Sequence, residues 1–160
     1  MYNKKILFSL LLLLCAISLT NTAFSQNQKI VILKLDDVTA GGKEGIVSPR
    51  WQRVADYIEN KKIKAGFGII GFSLAEDNPA YFKWITDRAE RGLIEFWNHG
   101  YYNRTKGDTI GDFEGTYEQQ LKALHLTDSL AKSKLVLQLR VCWPHWRSTY
   151  RNTDKALALL

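Results

Sequence analysis

Cysteine is scarce. The 160 residues include two, Cys15 and Cys142, and the first lies in an N-terminal segment expected to be removed. A single remaining thiol forms no intrachain disulfide. An exported chain of this kind therefore rests on its hydrophobic core or on a bound metal. Low-complexity stretches, linkers and internal repeats are also missing. No Lys/Arg cluster interleaves with aromatics, so nucleic acid is not expected as a partner despite a formal net charge of +6. The long apolar run is confined to the N-terminus and is too short to cross a bilayer comfortably.

That run reads instead as a leader. Lys4 and Lys5 form a positive n-region and Ile6 to Leu19 an apolar h-region. Ala23-Phe24-Ser25 places small residues where signal peptidase reads them, so cleavage is expected before Gln26. A lipoprotein reading of Cys15 meets Leu13-Leu14, which lacks the small residue that normally precedes a lipidated cysteine. Residues 1–25 are thus a signal peptide, and 26–160 one domain exported to the periplasm or secreted by a bacterium. No stable membrane span remains after cleavage. The leader takes two lysines and no acid with it, which lowers the net charge by two.

The rest alternates between strand-like and helix-like patterns. Ile30 to Leu35 is an apolar strand closed by Asp36-Asp37, and a Gly-rich loop from Val38 to Val47 follows. Ser48-Pro49 reads as N-cap and first helical residue, with Trp51, Val54, Ala55 and Ile58 on one face of a helix ending near Lys62. Ala65 to Ile70 is a short strand that carries Gly66 and Gly68. Asn78-Pro79 opens a second helix with Phe82, Ile85 and Ala89 inward and Gly92 at its C′ position. Leu93 to Asn98 forms a third strand, closed by His99, and a polar loop runs to Gly115. A helix over about Thr116–Ala131, a fourth strand over Leu135–Val141 and a helix from Thr153 complete the pattern. Four β-α alternations argue for an α/β fold with a parallel sheet and right-handed crossovers. About four β/α units make a partial (β/α) barrel. The last helical pattern reaches Leu160 without a cap, so the domain is expected to be incomplete at its C-terminus.

In parallel α/β folds, chemistry sits just beyond the carboxyl ends of the strands. Asp36, Asp37 and His99 are expected to meet at that rim, and two carboxylates with an imidazole make up a hydrolytic metal site. The plainer alternative is an acidic strand cap and a structural histidine. His125, among helix leucines, reads as an ordinary helix-face residue. His145, between Pro144 and Trp146, lies near the rim but has no partner in sequence and reads the same way. Trp97, Tyr101, Tyr102, Trp143 and Trp146 offer flat faces of the kind that cover sugar C–H surfaces. Tyr101 and Trp143 are the preferred sugar contacts. Cys142, after an apolar run, reads as a buried thiol.

Leu35-Asp36-Asp37 resembles the Asp-Asp motif of NodB-like polysaccharide deacetylases of the carbohydrate esterase family 4 type. His99-Gly100-Tyr101-Tyr102-Asn103, with Glu95 and Asn98 before it, resembles their His-x-x-x-His motif. The resemblance covers roughly Lys29 to Ser133. It implies a distorted (β/α) barrel that removes N- or O-acetyl groups from a carbohydrate with a divalent metal, usually zinc. Carried over, Asp36 is the general base, and Asp37 and His99 are metal ligands with Asn103 at the third ligand position. Arg140 and Pro144 are the nearest match to an arginine-proline motif that normally follows the fourth strand, which makes Arg140 a substrate-side candidate. An amide oxygen is a poorer zinc ligand than imidazole. The site therefore uses Asn103 weakly, recruits another group such as Asp108 or Asp112, or is dead. The family's late aspartate and histidine would lie beyond Leu160.

Three outcomes follow: an exported polysaccharide-deacetylase-like hydrolase, a non-catalytic carbohydrate-binding domain on a degenerate deacetylase fold, or a truncated product without a stable fold. A glycan is the expected partner in the first two. Open sheet edges also make self-association an expectation.

Overall fold

The computed structural model describes residues 31–41, 45–102, 112–145, 149 and 151–159. The expected leader over residues 1–25, Ile30, Asn103, Asp108 and Trp146 lie outside the described residues. The compact unit runs from Ile32 to Leu160. Its centre is a parallel sheet of three strands, β1 (Leu33–Val38), β4 (Ala65–Ile69) and β5 (Ile94–Asn98), in the order β1-β4-β5. Leu33 pairs with Ala65 and Leu35 with Phe67, and Phe67 in turn pairs with Phe96. Parallel register puts these residues on one face, where Phe67 meets Trp51 at 5.1 Å and Phe96 at 5.9 Å between ring centres. Each fully buried side chain of this kind contributes about 1.5–3 kcal/mol.

Helix α1 (Pro49–Asn60) covers that face with Trp51, Ala55 and Ile58. It starts where expected, because the Ser48 hydroxyl accepts the Trp51 N–H and Pro49 fits the first turn. Helix α2 (Pro79–Glu90) starts on the same device, with Asn78 Oδ1 accepting the Tyr81 N–H at 3.0 Å. It ends before Gly92, whose φ of +71° is the left-handed stop. Helix α3 (Tyr117–Leu130) opens on a capping box between Thr116 and Gln119. A single π turn, Ala131–Leu135, extends it.

On the opposite face, glycine has a steric reason. A Cβ on Gly68 would come 2.5 Å from the Trp97 ring, and one on Gly66 would come 3.1 Å from its Nε1. The two glycines that weaken β4 as a strand make the bed on which Trp97 lies buried.

Two expectations change. The loop from Val38 to Val47 holds a small antiparallel pair, β2 (Ala40–Gly41) with β3 (Gly45–Val47). The fourth strand over Leu135–Val141 is not formed as such among the described residues. The π turn takes Leu135, Val136 turns left-handed at φ 55°, and the pairing shrinks to one parallel bridge between Asn98 and Cys142. Two backbone bonds make it: Asn98 N–H to the Val141 carbonyl at 2.8 Å, and Trp143 N–H to the Asn98 carbonyl at 3.1 Å. The final helix, α4, is short, Thr153–Leu157. The sheet is open, not a closed barrel. No helix among the described residues is long and apolar enough to cross a membrane.

Candidate metal centre at the strand ends

Asn98 organises the rim. It is 1% exposed. Its amide donates to the Leu124 carbonyl at 3.1 Å and to Asp128 at 2.9 Å, and its Oδ1 accepts the Gly100 N–H at 2.9 Å. The next backbone amide, of His99, donates to the Ile69 carbonyl at 3.0 Å. One residue thus ties the end of β5 to α3, to the Val141–Trp143 segment and to the following turn. Gly100 makes that turn at φ +82°. A Cβ there would lie 2.8 Å from Asp112 Oδ2 and 2.9 Å from His145 Nε2.

At the end of β1, Asp37 adopts φ +69°. This left-handed conformation costs a non-glycine residue about 1–3 kcal/mol and concentrates at functional positions. It leaves the carboxylate 3.5 Å from His99 Nε2. His99 is 2% exposed, and its Nδ1 lies 2.6 Å from the Trp143 carbonyl. A carbonyl only accepts, so Nδ1 carries the proton and donates it. His99 Nε2 then faces the Asp37 carboxylate, an arrangement that a shared proton or a bound cation bridges. Hydrogen bonding to His99 holds the Asp37 carboxyl below the ordinary aspartate value, against the opposing effect of burial.

His145 completes the cluster. It is 6% exposed, and its ring centre lies 4.1 Å from that of His99. Its Nε2 is buried with no hydrogen-bond partner among the described residues. Burial first, and then the neighbouring His99, pushes its pKa down to about 4. The ligand atoms of Asp37, His99 and His145 all lie within 4.8 Å of one another. One carboxylate with two imidazoles suits a divalent cation that keeps an open position. A tetrahedral ion with bonds of about 2.1 Å separates its ligand atoms by about 3.4 Å, close to the 3.5 Å seen between Asp37 and His99.

Asp36 lies beside the cluster, exposed and ion-paired to Lys34. The Lys34 ammonium lies 4.9 Å from the Trp97 ring centre and 5.0 Å from that of Trp143. Asp112 is not in the ligand group. It accepts the Tyr101 and Tyr102 amides at 2.5 and 2.6 Å, and burial raises its pKa. Tyr101 and Tyr102 form a ring cluster with Phe72, with Tyr102 stacked on Phe72 at 5.2 Å. Trp143 is 43% exposed. The structure does not bring Arg140 to the cluster. It lines a separate cavity of about 440 Å³ with Asp128, Gln138 and Cys142. His125 is an exposed residue of α3, as expected.

His145 lies near the rim as the sequence suggests, and its partners, Asp37 and His99, come from two other segments. Asn98 could not be read from sequence as a hub, because its partners lie in three other segments.

No protein-family model matches the chain, and neither does any curated protein. Solved structures do match. A mutant of BA3943, a CE4 family pseudoenzyme from Bacillus anthracis with restored enzymatic activity, superposes with a TM-score of 0.61 at 22% identity, over 82% of this chain and 42% of that one. The family 4 carbohydrate esterase from Streptomyces lividans, in complex with acetate, gives 0.61 at 16% identity, over 82% and 59%. The family 4 acetyl xylan esterase from Clostridium thermocellum, with a cobalt ion, gives 0.55 at 14%, over 78% and 53%. The chain has the polysaccharide-deacetylase fold. It spans about half the length of these structures. The cluster lies at the carboxyl ends of β1 and β5, where parallel α/β folds place their ligands.

Proposed function

We propose that this chain is an exported polysaccharide-deacetylase-type hydrolase that removes N- or O-acetyl groups from a glycan with a divalent metal. The observation that carries the reading is the strand-end cluster of Asp37, His99 and His145, whose ligand atoms all lie within 4.8 Å of one another, with Asp36 next in sequence. Such an ion supplies Lewis acidity to the acetyl carbonyl and acidifies water, and zinc suits these donors. The chain's own residues do the rest. Asp37 and His99 would hold the ion, with the Trp143 carbonyl orienting the His99 ring through Nδ1. Asp36 accepts the proton of the attacking water. Water oxygen adds to the acetyl carbon, the C–N or C–O bond breaks, acetate leaves, and the proton passes to the sugar amine or hydroxyl. Tyr101, Tyr102 and Trp143 present ring faces at the rim for the sugar.

Acetate release from chito-oligosaccharides and acetylated xylan, with added zinc and after chelation, tests the reading. Zinc-dependent release supports it, and its absence with metal bound overturns it. The second reading, a non-catalytic carbohydrate-binding domain, is supported by the fold's likeness to a pseudoenzyme and by the exposed Trp143 and Tyr102 rings. Glycan binding without turnover would decide for it.

A further inference from the structure

We infer that His145 is the third metal ligand, so that the ligand role expected at Asn103 has moved to the Trp143–His145 segment. This rests on the metal-dependent reading above and deepens it. Two independent observations carry it. First, His145 Nε2 is buried with no hydrogen-bond partner among the described residues. A buried imidazole nitrogen without a partner is rare in a folded protein. Second, it lies with Asp37 and His99 inside a group whose ligand atoms all fall within 4.8 Å. The Phe113 ring packs against His145 at 5.7 Å between centres and limits its rotation. Gly100 lacks the Cβ that would crowd Nε2.

The same short segment then has two duties. Trp143 orients His99 through its carbonyl, and two residues later His145 supplies its own nitrogen. Pro144 between them restricts the backbone that sets their spacing. The centre is assembled from the ends of β1, of β5 and of the segment bridged to β5, and it needs no ligand from the loop after Gly100. Two imidazoles and one carboxylate select zinc or cobalt over magnesium or calcium.

Titration of the full chain with Zn(II) and Co(II) alone tests this, independently of turnover. His145→Ala should weaken binding by at least about a hundredfold, beyond what outer-shell partners are worth. Asn103→Ala and the surface control His125→Ala should leave it within about threefold. Because His145→Ala also removes a ring packed against Phe113, His145→Cys provides a positive signature. Its Co(II) complex should gain a thiolate charge-transfer band in the near ultraviolet that the parent chain, with Cys142 intact, lacks. Circular dichroism confirms that each variant is folded. Absence of that band, unchanged affinity in His145→Ala, a comparable loss in Asn103→Ala, or no metal binding by the parent chain would each overturn the assignment. Tight binding without acetate release would leave His145 in place and remove only the hydrolase reading.

Discussion

Asp36 and Asp37 are adjacent and chemically identical, yet their surroundings separate them. Both lie in β1, where the pairing with β4 shifts register between Leu35 and Val38; there Asp37 takes a left-handed backbone and faces His99, whereas Asp36 is paired to Lys34. The expected outcome of Asp36→Asn is a loss of acetate release of at least about a hundredfold, the usual worth of a general base, with zinc affinity unchanged by calorimetry. An amide keeps the shape but cannot accept a proton. The Asp-Asp pair and His99 were legible in the sequence because each closes an apolar run, and position alone carries that information. His145 was not, because the run before it folds into a π turn and a single bridge, so its link to the rim exists only in three dimensions.

At the level of elements, the three helix starts were legible because each is written locally, in Ser48-Pro49, Asn78-Pro79 and Thr116 with Gln119. The fourth strand was misread for the opposite reason. An apolar run such as Leu135–Val141 is compatible with strand or with irregular packing, and pairing partners decide between them. Here Asn98 decides, by holding Val141 and Trp143 at its own backbone and α3 at its side chain. Asn98→Ala should therefore uncouple β5 from α3 and from the turn at Gly100, while the backbone bonds to Val141 and Trp143 remain. The expected cost is about 1–3 kcal/mol, from buried partners left unsatisfied, read as a lower urea midpoint.

For the whole molecule, β1 has β4 on one side and no strand on the other among the described residues. Val31 and Ile32 just before it are 83% and 84% exposed. An apolar edge of this kind templates association. Size-exclusion chromatography with light scattering on residues 26–160 should show species larger than a monomer, and a monodisperse monomer with a sharp melt would contradict this. The export proposal is separate. Mass spectrometry of periplasmic or secreted material should find Gln26 as the first residue, and an intact Met1 terminus in a soluble cytoplasmic product would refute it.

The closeness of Asp37 to His145 has a consequence for the energetics of the chain. These residues are far apart in sequence, and an ion held by both would act as a reversible staple across most of the domain. In the unfolded ensemble such a closure carries a large entropy cost that grows only slowly with loop length. The ion therefore has little affinity for the unfolded chain, and its binding energy goes to the native state. Zinc at about 100 times its dissociation constant should raise unfolding free energy by about 2.7 kcal/mol. Urea denaturation with zinc and with chelator measures the difference, which should collapse in His145→Ala. The tie that a lone thiol cannot provide would then be made and released by metal supply.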